Sequence, residues 1–165
     1  MKIVLKVIGG LVIVLIVLLI ILRITGLPPN GGRPGLWLTG NAVTTPVTDW
    51  SFTANYPTVE VQTNTWYGIP HSVTIYCVTY NGKLYLSSLV VPGAPAYPQG
   101  RAWNQNIARD PHVRVEIGDQ LYDLTATYVT DPAEHDGVMA SEMKKYPDFK
   151  YPAGSTFNVF RMSDQ

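Results

Sequence analysis

Hydrophobic residues fall along this chain in two unlike ways: one unbroken block near the start, then short alternating runs separated by turn residues. The block, Val7 to Leu22, follows Lys2 and Lys6 and is closed by Arg23. As a helix it rises only about 24 Å, but Ile3 to Ile24 reach about 33 Å with Lys6 snorkelling, enough to cross a bilayer. A cleavable signal peptide shares the basic start and the apolar stretch. The length of the block, and the lack of a small-x-small site before Gly26-Leu27-Pro28-Pro29, favour an uncleaved signal anchor. The initiator amine, Lys2 and Lys6 outweigh Arg23, so the positive-inside rule predicts a single-pass protein with a cytoplasmic N-terminus. The C-terminal part is then expected on the outer, periplasmic or extracytoplasmic, side. The expected organisation is an anchor over 1–25, a Pro/Gly linker over 26–35, and one compact domain over 36–165, about 130 residues.

Within that domain the pattern is one of strands. Two runs rich in β-branched and aromatic residues, together spanning Ser72 to Ser88, flank Asn81-Gly82, the pair best suited to a type I′ turn. The first arm carries Val73, Ile75 and Cys77 on one face and Tyr76, Val78 and Tyr80 on the other, which predicts a central strand covered on both sides. A second hairpin is expected from Val113 to Thr130, turning at Gly118-Asp119. Here Val113, Val115 and Ile117 alternate with Arg114 and Glu116, which suggests a place nearer a sheet edge. Further strands are expected at Thr58 to Thr63, at Phe157 to Arg161 and, more weakly patterned, at Leu36 to Thr39.

Helices are few. Gly100 to Arg109 places Trp103 and Ile107 on one face and ends at Asp110-Pro111. Asp131-Pro132 reads as an N-cap followed by proline, starting a helix through Lys145 with Met139, Met143 and Tyr146 as its buried stripe. Glu134 and Asp136, beside His135, suit the start of that helix. The fold class expected is mainly β: a small antiparallel barrel with helices packed outside, preceded by one transmembrane helix.

Charge narrows the function. The chain is neutral overall, but the twelve acidic residues all follow position 48, so the folded part is mildly acidic. It lacks the electrostatic footprint of a nucleic-acid-binding protein. Cys77 is the single cysteine and lies in a strand-like run, which reads as a core thiol. There is no G-x-S-x-G elbow for a serine hydrolase, and His71, His112 and His135 lack zinc-ligand spacing, so no metal site is expected.

A family resemblance emerges from the order of pieces. Gly68-Ile69-Pro70-His71-Ser72-Val73-Thr74 enters a hairpin, and Leu84-Tyr85-Leu86-Ser87-Ser88 leaves it. A Gly/Pro-rich loop leads to Arg101-Ala102-Trp103-Asn104-Gln105-Asn106-Ile107, then Asp110-Pro111-His112-Val113-Arg114-Val115. This series resembles the split β-barrel flavin-binding superfamily, which includes the pyridoxamine 5′-phosphate oxidases and the deazaflavin-dependent nitroreductase-like proteins. The resemblance covers roughly Thr58 to Ala133. It implies that His71, Ser72, Thr74, Ser87 and Ser88 contact a cofactor phosphate and that Arg101 completes the anion site. A guanidinium fork with hydroxyls suits a phosphate dianion. Trp103, Asn104 and the loop from Val90 to Gln99 would border the ring system.

Two departures accompany it. His71 and hydroxyls stand where many of the oxidases carry Arg or Lys, and the loop Val90 to Pro98 is closer to the deazaflavin type. Read singly, each residue has an ordinary role: Arg101 solvated, Ser87 and Ser88 ending a strand, His71 hydrogen-bonded in a loop, Trp103 a core anchor. Their joint placement carries the functional reading.

That reading is a membrane-anchored oxidoreductase acting on a small molecule, with FMN as the cofactor implied first and F420 or haem as alternatives. No acid–base residue is singled out as catalytic. The resemblance also implies a homodimer with the cofactor in a shared groove. The rival is a non-enzymatic envelope protein of the same fold that binds haem or another ligand, a role the outward topology suits. The aromatic segment Trp37, Trp50, Phe52, Tyr56 and Trp66 is read as wrapping the barrel or covering the groove.

Overall fold

Strict alternation along the middle of the chain produces the expected strands, and the way they join determines where the site lies. The computed structural model describes residues 2–165. The first apolar block forms helix α1, Lys2–Thr25, with no residue buried against the rest of the protein. It is the one helix among the described residues long and apolar enough to cross a membrane.

Eight strands follow among the described residues: β1 Asn41–Val43, β2 Val59–Thr63, β3 His71–Ile75, β4 Cys77–Tyr80, β5 Lys83–Val90, β6 His112–Ile117, β7 Gln120–Tyr128 and β8 Thr156–Asp164. They form a mainly antiparallel sheet in the order β3-β2-β6-β7-β8-β5-β4, with short β1 added parallel to β7. Helix α2, Ala102–Arg109, links β5 to β6, and α3, Pro132–Lys145, links β7 to β8.

The hairpin at Asn81-Gly82 is present, with positive φ at both residues. Its first arm, however, is two strands rather than one. The chain breaks at Tyr76, so β3 pairs with β2 at one end of the sheet while β4 pairs with β5 at the other. The expected single central strand is therefore a bent strand whose halves belong to opposite ends of the sheet. Covalent continuity at the bend brings the two ends together and rolls the sheet into a split barrel.

The second hairpin is also present, but β6 and β7 lie in the middle of the sheet, not at an edge. Their wet face is the barrel exterior, where Arg114 makes two hydrogen bonds to Asp123 at 2.7 and 2.8 Å. The segment Leu36 to Thr39 forms no strand. Leu38 instead donates its N–H to Gln62 Oε1 at 2.8 Å.

The barrel interior is dry. Val61, Val115, Leu84, Leu86, Leu124 and Phe160 are almost wholly buried in one cluster, each such side chain contributing about 1.5–3 kcal/mol relative to exposure. Trp50 and Trp103 join this cluster, so part of the aromatic segment is core rather than cover. Cys77 is buried and free, and desolvation pushes its thiol pKa upward. A second cluster, including Val78, Tyr85 and Val159, packs beneath α3 against Val138 and Met139.

Asp131 caps α3 by accepting the Glu134 N–H at 2.7 Å. The buried stripe of this helix is Val138, Met139 and Glu142, whereas Met143 is 52% exposed. The Glu134 carboxylate is drawn away from a purely capping role. It accepts from Arg161 at 2.9 and 3.1 Å and from the Tyr85 hydroxyl at 2.7 Å.

Residues 26–35 form a ribbon docked on the barrel. Leu27 donates to the Trp37 carbonyl at 2.9 Å, Asn30 and Arg33 bridge each other, and Gly35 exchanges two backbone hydrogen bonds with Ser72 at 2.9 and 3.0 Å. A Cβ at Gly35 would run into the Leu27 carbonyl and the Pro29 backbone, so the close crossing needs glycine.

Candidate functional site

The end of β5, the start of α2, strand β3 and the ribbon converge on a cleft of about 560 Å³. That size lies within the roughly 300–1,000 Å³ range of small-molecule and cofactor sites. His71, Thr74, Ser87, Ser88, Arg101 and Trp103 line it. Ser72 and Asn104 do not; both are fully buried beside it.

Alternation along β5 explains the placement of the serines. Leu84, Leu86 and Ser88 share the inward face, so the dry interior gives way to a hydroxyl where the strand reaches the cleft. Ser87 points the other way, under α3, and donates to Glu142 Oε1 at 2.6 Å. Its proton is thus engaged, and only its lone pairs remain. Glu142 is 4% exposed, and desolvation raises its pKa against the opposing pull of Ser87 and Lys145. No feature of the sequence marks this carboxylate, because a glutamate within a helix reads as surface.

Around Ser88 the buried polar groups are incompletely paired. Asn104 Nδ2 donates to Ser88 Oγ over a long 3.4 Å, while Asn104 Oδ1 has no partner. Asn158, opposite Ser88 in the β5–β8 register, has an unpartnered Nδ2. Ser72 Oγ and His71 Nδ1 are likewise without partners. Such atoms cost free energy unless water or a ligand meets them. Burial lowers the pKa of His71, favouring the neutral imidazole.

Positive charge comes from two directions. Arg101, exposed at the N-cap of α2, makes only a long 3.4 Å hydrogen bond to the Leu89 carbonyl. Arg33 reaches the cleft from the ribbon. No side chain caps α2, and Gly100, Arg101, Ala102 and Trp103 all line the cleft, so the positive end of this helix opens toward it. Among the described residues no carboxylate is on the lining. Arg33 was invisible to sequence reasoning because a Pro/Gly-rich stretch without periodicity reads as a linker.

The apolar walls come from β3, with Val73 and Ile75, and from Tyr76, Leu89, Phe149 and Phe157. Trp103 contributes an edge, but its ring packs chiefly on Phe160 at 5.1 Å. The loop Val90 to Gln99 supplies nothing to the lining. It folds back over the barrel, where Tyr97 stacks on Tyr128 at 4.1 Å and an interplanar angle of 2°.

These features can hold an elongated ligand with an anionic end and a flat apolar body. Comparison with solved structures gives the architecture a name. A conserved hypothetical protein, Rv2991 of Mycobacterium tuberculosis, superposes with a TM-score of 0.50 at 19% identity, over 68% of this chain and 80% of that one. The fold shared with that structure is the split β-barrel. Two further matches are a candidate pyridoxamine 5′-phosphate oxidase from Listeria innocua and an F420-H2 dependent reductase. The first has a TM-score of 0.47 at 17% identity, over 67% of this chain and 86% of that one. The second has a TM-score of 0.47 at 23% identity, over 66% of this chain and 95% of that one. At these identities the likeness is one of fold. No protein-family model matches the chain, and no curated protein matches it in sequence.

Proposed function

We propose that this chain is a membrane-anchored split-barrel oxidoreductase that binds a flavin-type cofactor, FMN first and F420 as the alternative, and reduces a small oxidised molecule. The observation that carries the reading is the acid-free cleft in which Arg101, Arg33 and the uncapped start of α2 converge beside Ser88 and Thr74. The phosphate would be held by these groups, as at other helix N-termini. The hydroxyls of Thr74 and Ser88 on the cleft wall would add hydrogen bonds to the phosphate. Phe149, Phe157, Ile75 and the edge of Trp103 would flank the ring and exclude water.

When bound, the cofactor supplies the hydride or electron chemistry; the protein orients it. Beneath the cleft Asn104 donates to Ser88, and Glu142 accepts from Ser87. No residue of the cleft is assigned a proton-transfer role.

Membrane association through α1, an outward-facing barrel and a homodimer belong to the same proposal. The length and composition of α1 support the first, and Lys2 and Lys6 support the second. The split-barrel likeness supports the third. A reporter fused to the C-terminus tests orientation, and light scattering of the detergent-solubilised protein tests the dimer.

A second reading, haem binding, is favoured by one observation: His71 lies on the cleft wall, and burial favours its neutral imidazole. Neutral imidazole is the form that ligates iron. One experiment separates the two. The full chain, purified in detergent, is titrated with FMN, F420 and haem while its visible spectrum is recorded. Tight flavin or deazaflavin binding, weakened about 10–100-fold in Arg101→Ala by loss of a charged contact of about 1.5–3 kcal/mol, supports the oxidoreductase. A Soret band abolished in His71→Ala supports the haem reading. A protein that binds none of the three overturns both.

A further inference from the structure

The loop between β2 and β3 exposes aromatic residues in a way the cleft does not explain. Trp66 is 81% exposed and Tyr67 57%, and Trp66 is the most exposed large hydrophobic residue outside α1 among the described residues. A single exposed apolar side chain is ordinary on a soluble surface. Two adjacent large aromatics, packed edge to face at 5.3 Å and turned outward together, form a patch.

The loop presenting them is rigidly built. Thr65 Oγ1 donates to the Ile69 carbonyl at 2.5 Å, and Gly68, at φ +80°, donates its N–H to the Thr65 carbonyl at 3.3 Å. At the base, Asn64 donates to Asp110 at 2.8 Å, and Arg109 donates to the Asn64 carbonyl. The backbone that carries the aromatic pair is therefore tied at its tip and its base, which lowers the ordering cost when the pair meets a partner.

The surroundings of the loop identify that partner. A second cleft, about 570 Å³, lies between the end of α1 and the barrel, with Arg23, Trp37, Thr65 and Gly68 on its walls. Thr65 and Gly68 bracket the aromatic pair, and Arg23 is the basic residue of the last turn of α1. The patch and the exit of α1 thus share one rim. The docked ribbon of residues 26–35 fixes their relation. Trp and Tyr favour the boundary between headgroups and acyl chains, where ring and polar tip are each satisfied, and Arg favours the phosphate layer.

We propose that Trp66 and Tyr67 insert into the interfacial layer of the same bilayer that α1 crosses, a second membrane contact that seats the barrel on the lipid surface. This rests on the reading of α1 as membrane-spanning. The partner is the lipid boundary itself, not a particular headgroup.

The test uses the full chain reconstituted in phosphatidylcholine vesicles, with and without acyl-brominated phosphatidylcholine as a contact quencher of tryptophan. Flotation after carbonate washing reports the anchor independently. The expected result is flotation of both wild type and Trp66→Phe, with a quenched emission component in wild type that is lost in the variant. Flotation with equal quenching in both proteins overturns the second contact and leaves the anchor standing. Failure to float overturns both. A Trp66 component protected from bromolipid and from aqueous acrylamide alike assigns the patch to a protein contact and overturns the proposal. The exposed position of residue 66 makes the Phe variant neutral for folding, which far-UV circular dichroism verifies.

Discussion

Strand β5 is apolar where it crosses the interior, at Leu84 and Leu86, and polar where it reaches the cleft, at Ser87 and Ser88. From Leu84 to Leu86 its inward side chains sit in a sealed apolar interior. At Ser87 and Ser88 the same strand carries hydroxyls beside Asn104, Asn158 and Glu142, with several polar atoms left without a protein partner. The first half contributes stability through burial, whereas beside the second several polar groups find no protein partner. Binding sites regularly hold such unmet capacity, while cores rarely do. One strand thus separates the fold-making part of the molecule from the ligand-meeting part within two residues.

The separation is testable. Leu86→Ala removes a wholly buried side chain opposite Phe160 in the β5–β8 register. It is expected to cost about 2–5 kcal/mol, measured by urea unfolding, while ligand affinity in the surviving folded fraction stays unchanged. A large loss of affinity without loss of stability would dissolve the distinction. Ser88→Ala is the converse: unfolding should change little, because its contact with Asn104 is long, while cofactor affinity falls about 3–10-fold, the worth of roughly one neutral hydrogen bond.

The smallest effect is expected on the barrel exterior. Glu60 and Glu116 face each other across β2 and β6. Desolvation first, then repulsion from Glu60, raises the pKa of Glu116 to about 7. A carboxyl whose folded pKa is raised stabilises fully below its unfolded value, near 4.5, and loses that contribution as pH rises through about 7. Glu116→Gln should therefore be more stable than wild type at pH 8 and indistinguishable at pH 4. The difference is at most about 1 kcal/mol, since both carboxylates are half-buried and water still screens them, and thermal melts at the two pH values would show it.

How far the sequence revealed this arrangement depended on the range of the forces involved. Asn81-Gly82, the Asp131-Pro132 cap, and the alternation at Val113 to Ile117 act locally and were legible. The bend at Tyr76 was not, because apolar residues on both faces continue through it and only the exchange of hydrogen-bonding partner marks the break. The placement of β6 was misjudged for a related reason: a barrel wall with one wet face has the same alternation as an edge strand. Met143 entered the expected stripe through its spacing from Met139 and Tyr146, but the helix turns Val138 and Glu142 inward instead. Six of the eight residues named for the site line the cleft. Arg33 could be found only from tertiary structure, since nothing local predicts that a Pro/Gly stretch folds back.

That fold-back has a practical side. Leu27 and Gly35 tie the ribbon to Trp37 and Ser72, and Arg33 stands between those ties. A truncation that begins past Gly35 would strip two backbone hydrogen bonds from the flank of β3 and remove Arg33 from the cleft. If α1 spans a bilayer as proposed, the same ties leave little free chain between the helix and the barrel, which keeps the barrel close to the end of α1.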